Sequence, residues 1–279
     1  MSTTGGRQLA EQAGRASTEI FEKARAEGRA ALVGYLPAGY PTVDGSVEML
    51  SALVEGGCDL LEVGVPYSDP VMDGPTIQAA ADIALRGGVR LRDVFRVVER
   101  VSAAGGRAGV MTYFNPGLRY GVDAFARDLA AAGGLGVITP DLIPDEADEW
   151  LAASDAYGLD RIFLVAPSST EERIASTTAA TRGFLYAAST MGVTGARNTV
   201  GDAAPRLVER CRAHTTLPIG VGLGVRSRAH AAEVARFADG VIVGSAFVTA
   251  VEQGGAAGAR ALAAELAEGV RAADGVAAG

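Results

Sequence analysis

The sequence predicts an α/β protein, a (β/α)8 TIM barrel with an extra N-terminal helix, in a single domain spanning 1–279. Three observations carry that expectation. Eight short apolar runs recur along the chain, each followed by a longer stretch of helical period, and no Pro/Ser-rich linker separates one part from another. An amphipathic segment over about 7–29 supplies the extra helix. The runs then follow in order at 31–35, 60–64, 108–112, 136–139, 161–165, 184–188, 218–221 and 240–243. Between the second and third runs, Leu91, Val94, Phe95, Val98 and Val101 recur at helical spacing and form one apolar stripe that packs on a sheet. Glycine pairs such as Gly56-Gly57 before Leu60, and Gly133-Gly134 before Gly136, end helices with residues able to take a left-handed cap. An open doubly wound sheet is the runner-up, disfavoured because Leu-Pro-Ala-Gly-Tyr-Pro, and no G-x-G-x-x-G, follows the first run at Tyr35. Residues 1–6 and the Ala/Gly-rich tail 275–279 are expected to be disordered.

Composition narrows the chemistry. A 48% hydrophobic, 21% charged chain with formal charge −8 points to a globular protein with small-molecule or protein partners and against a nucleic-acid surface. No apolar run approaches a membrane span and nothing at the N-terminus resembles a signal peptide, so a cytoplasmic location is expected. Cys58 and Cys211 sit in apolar-periodic contexts and read as buried thiols. The single lysine, Lys23, lies before the first strand, and His214 and His230 fall late, in polar helical stretches. A Schiff-base lysine and a typical His/Cys metal site are therefore not expected, which leaves carboxylate chemistry.

In a barrel of this kind function lies at the C-terminal ends of the strands. Glu62, near the end of the second strand, points either into the lumen or against the helices. A long, proline-stiffened loop follows over 65–75 and carries Asp69 and Asp73; a second long loop, glycine-rich, covers 190–202. Burial would raise the pKa of Glu62 while a more polar loop keeps Asp73 ionised, a pairing suited to acid/base catalysis, against the plainer reading of a salt-bridged strand glutamate. Asp69 fits a cap or a contact as well. Gly220-Val-Gly-Leu-Gly224 after the seventh strand and Gly244-Ser245 after the eighth read as an anion site of backbone amides and one hydroxyl at a helix N-terminus, against the plainer reading of tight-turn glycines.

The stretch Leu61-Glu-Val-Gly-Val-Pro-Tyr-Ser-Asp-Pro-Val-Met-Asp-Gly-Pro-Thr-Ile-Gln78 resembles the signature of the tryptophan synthase alpha subunit family, within a likeness that runs over about 31–264. The resemblance implies retro-aldol cleavage of indole-3-glycerol phosphate to indole and glyceraldehyde 3-phosphate, with the indole passed on for L-tryptophan synthesis. By the same likeness Glu62 is the general acid at indole C3, Asp73 accepts the indole N–H, and Tyr186 assists beside Glu62. Tyr35, Met111, Tyr113 and Leu223 match the indole pocket, as residues that ordinary core packing would equally explain. Gly195, Gly224, Gly244 and Ser245 match the phosphate site, and Thr194 matches a lid residue that bonds to Asp73. No cofactor or metal is implied on this chain. The implied partner is a beta subunit in an alpha2-beta2 complex, which carries the pyridoxal phosphate and meets this chain at residues 67–70. Thr190, Met191 and Pro37 depart from the better-known pattern. A stand-alone lyase and a catalytically silent regulatory barrel are the alternatives.

Overall fold

The computed structural model describes residues 16–188 and 202–272. Eight parallel strands close into a barrel in sequence order: β1 (Ala31–Pro37), β2 (Leu60–Gly64), β3 (Ala108–Met111), β4 (Gly136–Thr139), β5 (Asp160–Val165), β6 (Leu185–Ala188), β7 (Ile219–Gly222) and β8 (Gly240–Val243). Alternation along each strand sorts side chains between two cores. Ala31, Val33, Leu60, Ile138, Ile162, Phe184 and Ile242 fill the lumen, whereas Leu32, Leu61, Val63, Val110, Val137 and Val241 face the surrounding helices. Glu62 shares the parity of Leu60, which resolves its direction in favour of the lumen.

Eleven helices surround the barrel among the described residues: α1 (Ala16–Ala26), α2 (Val43–Gly56), α3 (Pro75–Arg86), α4 (Leu91–Ala103), α5 (Phe114–Tyr120), α6 (Val122–Ala131), α7 (Asp148–Tyr157), α8 (Glu171–Ala180), α9 (Ala203–Arg212), α10 (Arg228–Ala235) and α11 (Ser245–Arg271). The simple alternation of one helix per strand is thus exceeded after β2 and after β3, where two helices each intervene. Local chemistry sets their ends. Thr42 caps α2 by accepting from Gly45 N at 3.0 Å, Gly57 ends it in the left-handed region at φ 111°, and Pro75, which has no N–H to satisfy, starts α3. Asp93 turns back to accept from Arg90 N at 2.9 Å and fixes the start of α4.

The N-terminal end of the barrel is sealed. Phe21 on α1 stacks against Phe184 with ring centroids 4.9 Å apart and lies beneath Gly240, where any Cβ would clash with its ring. Ser17 donates its backbone N–H to buried Asp160 at 2.9 Å, and its hydroxyl bonds to the same carboxylate. Nearby Asp239 accepts from Ile219 N at 2.7 Å and from Arg25 at 2.8 Å, and pairs with Arg212. With that end filled, the C-terminal mouth is where a ligand can enter.

The histidines differ from expectation in one respect each. His230 lies in α10 but is buried, and His214 sits in the turn after α9, where it contacts Glu171 at 2.9 Å. Cys58 and Cys211 are buried free thiols. Pro37 is the last residue of β1. The loop at 190–201, with Thr190, Met191, Thr194 and Gly195, and the termini 1–15 and 273–279 lie outside the described residues.

Candidate active site

At the mouth, β1 and β2 pair so that Tyr35 stands opposite Glu62. The Glu62 side chain is buried to 1% exposure, and its Oε1 has no hydrogen-bond partner among the described residues. Burial pushes its pKa from an ordinary 4.5 to about 8. Below that value the group is a neutral carboxylic acid with an unengaged oxygen, able to give a proton to a molecule that comes within its reach.

Two phenols flank it. Tyr35 and Tyr186 are both held well above the usual tyrosine range, first by burial and then by the negative charge of Asp73 and Glu62. Both hydroxyls therefore stay protonated as donors. Each ring also has a glycine beneath it: a Cβ on Gly64 would collide with the Tyr35 ring, and one on Gly222 would come 2.5 Å from the Tyr186 hydroxyl.

Asp73 comes from the 65–74 loop, which other side chains hold in place. The Tyr113 hydroxyl accepts N–H bonds from Val71 at 3.1 Å and Met72 at 2.9 Å, while Gln78 Nε2 donates to the Asp73 carbonyl at 2.8 Å. Tyr67 stacks near Tyr113 with centroids 5.1 Å apart, and its hydroxyl accepts from Asn115 at 3.1 Å. Burial pushes the Asp73 carboxyl up as well, so its loop is less polar than the sequence suggests. Asp69 is exposed and takes a hydrogen bond from Ser68.

The resemblance matches Tyr113 to an indole-pocket position, with core packing as the alternative; the structure shows its grip on the loop. Met111 ends β3, half-buried at the top of the lumen, and Leu223 is buried just past β7. Gly224 follows in the left-handed region at φ 69°. Across the neighbouring strand, Gly244 precedes α11, whose first residue is Ser245. A residue the sequence reading passed over is Ile77. Its Cδ1 and Tyr35 Cδ1 both stand 3.5 Å from where a Gly244 Cβ would be, which brings α3 and β1 together at the glycine turn. Its position on the inner face of α3, four residues after Asp73, was the available signal. Thr194 and Gly195 lie outside the described residues. Among those residues no cluster of His, Cys, Asp and Glu is placed to hold a metal ion, and no helix is long and apolar enough to cross a membrane.

A closed parallel barrel with a neutral buried acid at its mouth, a second carboxylate on a braced loop and a glycine-rich helix N-terminus is, as a class, a barrel enzyme equipped for proton transfer on a small anionic molecule. Known proteins make the identification narrower. The tryptophan synthase alpha chain family model matches residues 21–276. Tryptophan synthase alpha chains of Mycobacterium tuberculosis and Nocardia farcinica are each 69% identical, over 252 residues (90% of this chain, 93% of the relative) and 253 residues (91% and 95%) respectively. A solved structure of Mycobacterium tuberculosis tryptophan synthase superimposes with TM-score 0.89 at 67% identity, covering 92% of this chain and 98% of that one. The chain belongs to the tryptophan synthase alpha chain family. It is a lyase of tryptophan biosynthesis that cleaves indole-3-glycerol phosphate.

Proposed function

We propose that Glu62, Asp73 and Tyr186 carry the cleavage of indole-3-glycerol phosphate into indole and glyceraldehyde 3-phosphate. The observation that carries the assignment is Glu62 itself: a buried carboxyl with an unengaged oxygen, held neutral up to about pH 8. Breaking the bond between indole C3 and the side chain requires an electron sink, and the indole ring becomes one when C3 is protonated. Glu62 gives that proton. As the carbon–carbon bond breaks, its electron pair returns to the ring, and the Glu62 carboxylate takes the proton of the side-chain hydroxyl to leave the aldehyde. Asp73 accepts the indole N–H and stabilises the positive charge that develops on the ring. Tyr186, protonated and charge-coupled to Glu62, assists as a donor beside it.

Tyr35, Met111, Tyr113 and Leu223 enclose the indole, with Ile77 completing the wall. Gly195, Gly224, Gly244 and Ser245 hold the phosphate through backbone and hydroxyl donors, and Thr194 orients Asp73 when the 190–202 loop closes. The chain uses no cofactor of its own. It works in the cytoplasm with a tryptophan synthase beta subunit, in an alpha2-beta2 assembly, and pyridoxal phosphate sits on that partner; residues 67–70 on the exposed strand-2 loop form the contact. The whole chain acts as one catalytic domain, 1–279. Indole release is measured with the chain alone and with a beta subunit added. Strong stimulation supports the alpha-subunit reading, full speed alone indicates a stand-alone lyase, and no indole under either condition overturns the assignment of catalysis.

A further inference from the structure

We propose that the Tyr35 hydroxyl is a catalytic hydrogen-bond donor, acting on the substrate oxygen carried by the carbon attached to indole C3. The proposal rests on the reading that Glu62 is the acid and that the Gly244 turn holds the phosphate, and it gives Tyr35 a task beyond lining the indole pocket.

The placement follows from strand register. Tyr35 stands opposite Glu62 in the β1–β2 pair and continues the lumen-facing row of Ala31 and Val33. Its ring leans toward the mouth over Gly64, where a Cβ would come 2.3 Å from the hydroxyl oxygen and 2.6 Å from Cε2 and Cζ. Gly64 lies two residues beyond Glu62 on the same face of β2, a rise of about 6–7 Å along the strand. The hydroxyl is therefore one layer above the acid, on the side of the opening. The other end of the ring lies against a different strand: Tyr35 Cδ1 and Cβ stand 3.5 and 3.7 Å from where a Gly244 Cβ would be, at the start of α11. Tyr186 repeats only the first half of this arrangement, with its hydroxyl 2.5 Å from a Cβ on Gly222. The residue opposite it in the register is Gly220, so no acid stands on β7 where Glu62 stands on β2.

A bound substrate has to span the same two points, with its phosphate at Gly244 and indole C3 at Glu62. Between them lie the hydroxyl-bearing carbons of the glycerol chain, which run beside the Tyr35 ring and bring its hydroxyl end to the carbon next to C3. Burial, then the negative charge of Asp73 and Glu62, with Tyr113 and Tyr186 also facing it, holds the phenol well above the ordinary tyrosine range, so it remains a donor. As the carbon–carbon bond breaks, the proton of the substrate hydroxyl goes to the Glu62 carboxylate and the bonding electron pair returns to the indole ring. The substrate oxygen gathers negative charge on its way to becoming the aldehyde. Tyr35 keeps its own proton throughout and stabilises that charge through a hydrogen bond stronger in the transition state than in the bound substrate.

The test uses the full chain assembled with a beta subunit and the variant Tyr35→Phe, which keeps the ring that lines the pocket. Loss of a donor that acts on developing charge predicts a kcat for cleavage of indole-3-glycerol phosphate lowered about ten- to a hundredfold, with KM held within about twofold. The dissociation constant of indole-3-propyl phosphate, which keeps the ring and the phosphate but lacks the hydroxyls, should also stay within about twofold of wild type. The dependence of kcat on pH should drop in height and keep its limbs, because the phenol acts on the substrate and not on the titrating carboxyls. Unchanged kcat in Tyr35→Phe overturns the proposal. So does an equal weakening of indole-3-propyl phosphate, which would make the phenol a wall residue, or a displaced pH limb, which would make it act through Glu62 or Asp73. Glu62→Gln run alongside separates the two levels: if it is inactive while Tyr35→Phe turns over normally, the acid stands and Tyr35 is excluded from the chemistry, whereas substantial turnover in Glu62→Gln removes the reading on which the proposal rests.

Discussion

Replacing Glu62 by Gln should kill cleavage and, above pH 5, make the protein more stable. The reasoning is one of linkage. The folded-state pKa of Glu62 lies near 8, against 4.5 for an ordinary glutamate, so the native state holds a proton that the unfolded chain releases across that window. The native state is therefore penalised progressively as pH rises from 4.5 toward 8, and the full stability is present only below the lower value. At roughly 1.36 kcal/mol per pH unit, the penalty is somewhat under ~1 kcal/mol at pH 5 and about 3 kcal/mol at pH 7. An amide of nearly the same shape never ionises and escapes it. Urea unfolding of wild type and Glu62→Gln at pH 5, 6, 7 and 8, with unchanged slope m, should show the gap in favour of the variant widening by about 2–3 kcal/mol between pH 5 and 7. All other titrating groups cancel in the difference. In the same variant, indole release should be nearly abolished while phosphate-ligand binding stays within a few-fold of wild type, since an amide has no proton to shuttle. A stability gap that does not move with pH would mean that Glu62 is ionised at neutrality, and its role as the acid would fall.

Asp73→Asn should lower kcat by at least about a hundredfold, through loss of the charge opposite the developing indole cation, and a near-normal rate would return Asp73 to loop structure. Gly244→Asp should raise the KM for indole-3-glycerol phosphate steeply yet leave thermal unfolding little changed, because the added Cβ meets only ordinary 3.5 Å contacts and the backbone is not left-handed there; normal phosphate inhibition of that variant would move the anion site. Gly222→Ala should depress turnover through its clash with the Tyr186 hydroxyl, and the loss should shrink in a Tyr186→Phe background that removes the struck oxygen. Additive effects in that double-mutant cycle would show that the glycine serves the strand and not the phenol.

Much of the fold is legible because the apolar runs have lengths and spacings that only a strand–helix repeat satisfies: the expected bounds at 60–64, 136–139 and 240–243 coincide with β2, β4 and β8, and the others shift by one or two residues. The additional helices α3 and α5 were not read. Glycines do mark their ends, Gly87-Gly88 after α3 and Gly121 after α5, but α3 begins directly at Pro75 where the long loop stops, and α5 at seven residues is too short to show an apolar period. Glu62 and Asp73 could be picked out as candidates, since a strand-end carboxylate followed by a second on a proline-stiffened loop suits acid/base work as well as a salt bridge. The direction of Glu62 was not legible, because a single residue in a strand carries no parity until the neighbours show which face holds the helices.

What sequence reasoning misses at the mouth shares one cause: the contacts join elements far apart in the chain. The hydroxyl of Tyr113 braces residues 71 and 72 from the far side of α3 and α4, and Ile77 touches the turn at Gly244 through nothing that spacing encodes. These contacts bear on catalysis because Asp73 is only as well placed as its loop. Two amide bonds to the Tyr113 oxygen and one from Gln78 to the Asp73 carbonyl fix the backbone on both sides of that carboxylate, while its side chain remains to meet the ligand. The two carboxylates thus differ in how they are placed. Glu62 is positioned by a strand in a packed lumen and gains a proton through burial, whereas Asp73 is positioned by hydrogen bonds to its loop, which can shift without disturbing the barrel.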